Sequence, residues 1–149
     1  MSAPRSVRFD EAVLARLNRY VDEHPGSSSS SVANMFIDEA LRGYEHPGIM
    51  FRPGPTGRRA ALAGGPDVWE VVSSLRAIRS EHPGLRGEDL AGELATTTGL
   101  SRERISMTLR YYAAFPDEID ERITTNLEIA EREERLWQAE QDMLRRRNP

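Results

Sequence analysis

The chain has 149 residues, a net charge of −4 and no cysteine. Without cysteine it can form neither a disulfide nor a thiolate zinc site, and it has no cysteine nucleophile. No run of about 18 apolar residues is present, which excludes a membrane-spanning helix. No secretory-type apolar run follows the N-terminus, so we expect a cytoplasmic protein.

All 20 basic residues are arginine, and they are unevenly distributed. Residues 1–59 hold eight Arg against seven Asp and Glu, whereas residues 115–149 hold six against ten. An acidic chain does not bind nucleic acid through its overall charge. Contact with DNA is therefore expected only locally, on the N-terminal side.

The first 45 residues predict one short strand and two helices. Ser6 to Phe9 alternate polar and apolar, which is typical of a strand with one buried face. Asp10 follows as an N-cap, and His24-Pro25-Gly26 with a serine run separates two helical stripes. So short a unit cannot bury a stable core alone, which favours pairing of two copies through their strands. The alternative is an edge strand of another small α+β domain.

The stretches RSVRFDEAVLARL and VANMFIDEALRGY resemble the ribbon-helix-helix repressors of the Arc and CopG type. The resemblance implies an intertwined dimer whose paired strands lie in the major groove of DNA. Val7 and Phe9 would face the dimer core, while Pro4 occupies a position where the family usually has a polar side chain. Arg8 is the strongest candidate for reading a base, because arginine binds guanine through two hydrogen bonds. The expected DNA contacts are Arg5, Ser6 and Arg8 on the strand, and Ser30 and Ser31 at the start of the second helix.

Residues 46–66 are rich in glycine and proline and predict a hairpin. Ile49–Phe51 and Ala60–Leu62 would form its strands around the turn Gly54-Pro55-Thr56-Gly57. Arg58 and Arg59 beside this turn suggest a phosphate-binding loop. The chain has no lysine and no GxxxxGK[ST] pattern, so nucleotide binding is not expected.

Three helices are predicted next. Asp67 caps the first, Gly87 opens the second, and Ser101 caps the third after the turn Thr98-Gly99-Leu100. A short helix, a glycine turn and a capped second helix form the helix-turn-helix pattern. The alternative is a three-helix packing unit that never touches DNA. The candidate DNA contacts on the last of these helices are Arg102, Arg104 and Ser106.

The stretches GPTGRR, GLSRERI and YYAAFPDEID resemble the helix-turn-helix domain of VapB-type antitoxins paired with PIN-like ribonuclease toxins. The resemblance covers residues 46 to about 122 and lies in the helix-turn-helix arrangement of this segment. It implies a toxin–antitoxin operon, binding to the protein's own operator, and a metal-dependent ribonuclease as partner.

Each of the three histidines stands in the tetrapeptide Glu-His-Pro-Gly. Three histidines near acids could suggest a metal site. The simpler interpretation is a helix end, since a histidinium suits the helix C-terminus and Pro-Gly stops the helix. We therefore expect His24, His46 and His82 to end helices, and no metal or other cofactor to be bound.

Pro116 starts a segment that predicts a helix of about thirty residues. Its apolar positions do not keep a heptad, so a long coiled coil is not expected. A helix this polar is marginal without a partner, and the resemblance implies that the partner is the toxin. An arginine inserted among the acidic metal ligands of the ribonuclease would compete with Mg²⁺ and RNA phosphate. The candidate contacts are Arg132, Arg135, Leu136, Trp137, Leu144 and Arg145, the last followed by Arg146 and Arg147.

We therefore predict a mainly α protein in three parts. Residues 1–45 form the ribbon-helix-helix module, residues 46–115 a helix-turn-helix-like domain with a hairpin, and residues 116–149 a helical arm. The favoured function is that of a non-enzymatic antitoxin and autorepressor, a homodimer or higher even oligomer that binds operator DNA and a toxin. A stand-alone transcription regulator is the alternative. An enzyme ranks third, because no nucleophile–base pair, metal cluster or phosphate loop is evident.

Overall fold

The computed structural model describes residues 3–146. They form six helices and one two-stranded antiparallel sheet, which confirms the mainly α class. The chain divides into two compact units, Met1–Glu45 and His46–Pro149. The helices are α1 (Glu11–Glu23), α2 (Ser29–Glu45), α3 (Val68–Glu81), α4 (Gly87–Thr98), α5 (Arg102–Ala114) and α6 (Pro116–Arg145), and the strands are β1 (Ile49–Arg52) and β2 (Arg59–Leu62).

The first unit consists of α1 and α2, which contact each other. The strand predicted over Ser6 to Phe9 does not form: residues 3–10 have no regular secondary structure. A β-ladder needs a neighbouring strand to accept and donate its hydrogen bonds, and one chain carries this segment once. Asp10 occupies the N-cap position of α1 as predicted, but its side chain makes no capping hydrogen bond.

Three helices end at the residue before a His-Pro-Gly tripeptide. α1 ends at Glu23, α2 at Glu45 and α3 at Glu81. At two of these ends the histidine backbone closes the last turn, since the His24 N–H donates to the Val21 carbonyl at 3.1 Å and the His82 N–H to the Ile78 carbonyl at 2.8 Å. The prediction that these tripeptides stop helices is confirmed.

The second unit begins with the predicted hairpin, which the structure confirms. β1 and β2 pair antiparallel with Ile49 opposite Leu62 and Arg52 opposite Arg59. The Gly57 N–H closes the turn by donating to the Gly54 carbonyl at 3.1 Å. Leu62 is fully buried, as are the two alanines before it, so β2 is the inner strand of the hairpin.

Two clusters of buried side chains form the core of the second unit. The first joins the hairpin to α3, α5 and α6 and contains Ile49, Ala60, Leu62, Val68, Val72, Tyr111 and Ile119. The second joins α3, α4 and α5 and contains Val71, Leu75, Ile78, Leu94 and Ile105. Because Ile119 lies in the first cluster, the start of α6 belongs to this core, and the packing is not interrupted at residue 116.

The helices around the predicted helix-turn-helix segment form at the expected positions. Gly99 ends α4 in the left-handed region, with φ of 69°, which glycine adopts without steric cost. Ser101 caps α5 by accepting a hydrogen bond from the Arg104 backbone N–H at 3.3 Å. α3, α4 and α5 contact one another. The long helix is also confirmed: α6 runs for 30 residues with Pro116 in its first turn.

Candidate nucleic-acid and partner interfaces

The side chains that were predicted to contact DNA from the strand lie on the exposed segment before α1. Arg5, Ser6 and Arg8 are all exposed. Phe9 is half-buried and faces α1 and α2, whereas Val7 remains 67% exposed. Of the two side chains predicted to face the dimer core, only Phe9 is therefore partly covered within a single chain. The polar side chains of this segment are accessible to a ligand.

Serine hydroxyls organise the start of α2. The Ser28 and Ser31 side chains each accept a hydrogen bond from the other's backbone N–H, both at 3.1 Å, in the manner of a capping box. The Ser31 hydroxyl also donates to the Ser28 carbonyl at 3.0 Å. Of the two predicted anion contacts, Ser31 is thus engaged in capping, and Ser30 is exposed.

The two helices of the first unit leave an apolar groove between them. α1 has no fully buried residue, and α2 has one, Val32. Large apolar side chains stay partly in solvent, with Ile37 47% and Leu41 54% exposed. The groove has a volume of about 450 Å³ and is lined by Phe9, Val13, Arg16, Leu17, Tyr20, Ala33, Phe36 and Ile37.

Two of the three predicted contacts on α5 hold the second unit together. Arg102 donates to the Glu88 carbonyl at 3.1 Å and pairs with the Glu88 carboxylate. Arg104 donates to the Ala63 carbonyl at 2.7 Å. Ser106 is exposed. Before either guanidinium could bind a phosphate it would have to give up these bonds, so they are weaker DNA candidates than the sequence predicted.

Sequence reasoning missed Arg110. It is exposed and lines, with Arg102 and Ser106, a surface depression of about 640 Å³ between α4 and α5. The signal was available, because Arg110 follows Ser106 by four residues and so shares its helix face. This basic residue is the best placed on α5 to reach an anion.

A second polar depression, of about 480 Å³, lies beside the hairpin. Asp67 is buried there, accepts a hydrogen bond from the Trp69 indole N–H at 3.2 Å and pairs with Arg59. Arg52 donates through one nitrogen to the Leu62 carbonyl at 3.0 Å, while its buried Nε has no hydrogen-bond partner among the described residues. The Arg59–Asp67 ion pair secures the hairpin to the residue before α3.

A further ionic group joins α3 to α5 and α6. The Tyr112 hydroxyl donates to Asp120 at 2.6 Å, and Arg76 donates to the Tyr112 oxygen at 3.3 Å and pairs with Asp120. The hydrogen bond with Tyr112 is the main cause that raises the pKa of Arg76, and charge interactions with Tyr112 and then Asp120 raise it further. The charged Arg76 side chain thus links α3 to the first turns of α6 through Asp120.

The predicted toxin contacts lie on the part of α6 that leaves the core. From Leu127 to Arg146, every side chain except that of Gln141 is exposed. Leu136 is 55%, Trp137 58% and Leu144 72% exposed. The three arginines expected beside them are exposed too, namely Arg132, Arg135 and Arg145.

No family model, curated protein or solved structure matches this chain. Within residues 3–146, no three His, Asp or Glu side chains are grouped as a metal ion would require. None of the helices in the same range has the length and apolar character needed to span a membrane. The functional proposal therefore rests on the geometry of the two units, each taken by itself.

Proposed function

We propose that this protein is the antitoxin of a type II toxin–antitoxin system, a dimeric autorepressor that also neutralises a PIN-like ribonuclease. The observation that carries the proposal is that the apolar side chains of the first unit are only partly buried. α1 and α2 present apolar side chains around an open groove, and α1 fully buries none of its residues. A helix pair of this size is not stable in water without further burial of apolar surface.

A second copy supplies that burial and also completes the strand. Antiparallel pairing of residues 6–9 from two chains gives each backbone a hydrogen-bonding neighbour. Val7 and Phe9 then face the shared core, and Arg8 with Ser6 faces outward. A two-stranded ribbon fits the major groove of DNA. The exposed Arg5 and Arg8 give this face its positive charge, in a chain that is acidic overall.

The exposed part of α6 supports the second half of the proposal, which is neutralisation of the ribonuclease. From Leu127 to Arg145, α6 is helical and exposed apart from Gln141, and a polar helix isolated in water is marginal. Exposed Leu136, Trp137 and Leu144 are the side chains that a protein partner would cover. Helix-in-groove recognition uses such a face. The Arg132, Arg135 and Arg145 contacts with the toxin stay predictions.

The test uses the full chain and the product of the gene adjacent to it. The two proteins are co-expressed, the complex is purified, and RNA cleavage is measured with and without the chain. Binding to DNA from upstream of the gene is measured by gel shift at fixed salt. We expect a stable complex, silenced ribonuclease activity, and specific binding of the upstream DNA.

Two outcomes would change the conclusion. If the chain binds the upstream DNA but no ribonuclease is encoded beside it or binds it, the protein is a stand-alone regulator. If the full chain is a folded monomer at micromolar concentration and binds no DNA, the ribbon-helix-helix proposal is wrong.

A further inference from the structure

The polar depression beside the hairpin, with a volume of about 480 Å³, is built from the second unit alone. The hairpin forms one side of it, the start of α3 another, and the middle of α6 the third. The lining residues are Arg52, Pro55, Thr56, Arg59, Asp67, Trp69, Glu70, Asn126 and Ile129. Clefts that bind small molecules enclose about 300–1,000 Å³ and combine apolar walls with a few polar groups. This depression has both properties.

The two acids of the depression have partners within the unit. The Asp67 carboxylate pairs with Arg59 and accepts a hydrogen bond from the Trp69 indole N–H at 3.2 Å. The Glu70 carboxylate belongs to the capping box of α3 and accepts a hydrogen bond from the Asp67 backbone N–H at 2.8 Å. Neither acid forms an ion pair with the second arginine of the lining, Arg52.

Arg52 is the lining cation that lacks a counter-charge. Among the described residues, only its Nη2 has hydrogen-bond partners, the carbonyl oxygens of Leu62, at 3.0 Å, and Gly65. Its Nε is buried and has no partner within residues 3–146. A charged donor that is buried without an acceptor is costly. An anion in the depression would therefore supply what the Arg52 guanidinium lacks, a negative charge and further acceptors.

The same depression has an apolar wall. Trp69 packs partly against the core of the unit and lines the depression together with Pro55 and Ile129. Ile129 is 42% exposed, so part of its apolar surface is available to a ligand. Because two arginines and two acids line the depression, their formal charges cancel, and net charge does not attract a bare ion. The geometry favours an anion that also carries an apolar body.

We propose that this depression binds a small organic acid, whose carboxylate pairs with Arg52 and whose apolar or aromatic body packs on Trp69 and Ile129. A guanidinium binds a carboxylate through charge-assisted hydrogen bonds, and an aromatic side chain buries a large apolar area. Such a ligand joins β1 to α3 and α6. The inference concerns the second unit alone and does not rest on the proposed antitoxin function.

The test follows the two tryptophan indole signals of the full-length chain by heteronuclear NMR. The chain has two tryptophans, Trp69 and Trp137, and Trp137→Phe assigns their signals. Benzoate is the probe. Benzamide has the same ring without the charge, whereas acetate and inorganic phosphate have the charge without the ring. All four are titrated at one pH and one ionic strength.

Three variants test where the probe binds. Arg52→Gln removes the cation, and Ile129→Glu replaces part of the apolar wall by a carboxylate. Leu127→Glu is the matched control, since Leu127 is 60% exposed on the same helix and does not line the depression. Circular dichroism checks that each variant is folded. If Arg52→Gln does not fold, the comparison of Ile129→Glu with Leu127→Glu still decides.

We expect benzoate to shift the Trp69 signal saturably and to leave the Trp137 signal in place. Benzamide, acetate and phosphate should bind at least about tenfold more weakly, because each lacks either the charged hydrogen bond or the apolar contact. Arg52→Gln and Ile129→Glu should each raise the dissociation constant of benzoate by about tenfold or more, and Leu127→Glu by less than about twofold.

Four results would overturn the inference. They are a Trp69 signal that benzoate does not shift, an equal shift of both tryptophan signals, binding of benzamide or acetate as tight as that of benzoate, and unchanged benzoate binding by Ile129→Glu. Each of them leaves the proposed function as it stands, because the titrations involve neither DNA nor the ribonuclease.

Discussion

Arg104 on α5 donates a hydrogen bond to the carbonyl oxygen of Ala63, at 2.7 Å and across 41 positions of sequence. The bond fastens the loop after β2 to the start of α5. Gly65 leaves room for it, because a Cβ added there would lie 2.5 Å from the Arg104 Nη2. A side chain that the sequence suggested for DNA thus has a structural partner within its own unit.

The first prediction concerns this bond. Arg104→Ala should lower the free energy of unfolding by about 1 kcal/mol, because the Ala63 carbonyl loses its charged donor. Urea denaturation measures the change. Ser106→Ala is the control, since Ser106 is exposed and makes no side-chain hydrogen bond within residues 3–146. Equal stability of the two variants would show that the bond contributes nothing.

The second prediction tests the inner strand of the hairpin. Leu62 is 1% exposed, and Leu62→Ala should cost about 2–5 kcal/mol of unfolding free energy because it leaves a cavity. Leu127 is 60% exposed, and the same substitution there should cost less than about 0.5 kcal/mol. Thermal and urea unfolding of both variants give the comparison. A similar loss at both positions would contradict the assignment of Leu62 to the core.

The third prediction concerns dimerisation through the first unit. Ile37 lines the apolar groove and is 47% exposed. Ile37→Asp would place a charge in the shared core of the proposed dimer, where an unpaired charge is costly, so the chain should become monomeric. Asn34→Asp adds the same carboxylate at an exposed position of α2 and should leave the dimer intact. Sedimentation equilibrium over a range of concentrations distinguishes them, and a dimer that survives Ile37→Asp counts against this interface.

The fourth prediction separates base reading from general attraction to DNA. Arg8→Ala should weaken operator binding by about 1–3 kcal/mol and reduce the preference for operator over unrelated DNA. Arg79→Ala removes the same charge from an exposed position near the end of α3 and should have little effect. Gel shifts at one salt concentration measure both variants. Unchanged operator affinity in Arg8→Ala would exclude the strand as the reading element.

The fifth prediction separates the two proposed activities, binding of operator DNA and inhibition of the ribonuclease. Because Ile119 is 3% exposed and packs in the core, a truncation must keep the start of α6. A chain ending at Asn126 should fold and bind operator DNA as the full chain does, but should no longer silence the ribonuclease. The paired measurement is a gel shift and an RNA-cleavage assay. Silencing by the truncated chain at equimolar ratio would move the toxin contact into residues 46–126.

Local signals in the sequence were enough to predict most of the helices and the hairpin. Pro-Gly after His24, His46 and His82 ends a helix whatever surrounds it, because proline cannot continue the hydrogen-bonding pattern. Ser101 caps α5 and Gly99 ends α4 through contacts within one helical turn of each residue. The turn at residues 54–57 and the long helix from Pro116 are local in the same sense.

The partners of the charged side chains were decided by the tertiary structure. Arg102 meets Glu88 from 14 positions away, Arg104 meets Ala63, and Ile119 lies in a core that the sequence had placed outside its domain. Residues 6–9 form no strand in the single chain, because a strand needs a hydrogen-bonding neighbour. A guanidinium bonds whichever acceptor the fold brings within about 3 Å, and the sequence by itself specifies the donor but not the distance.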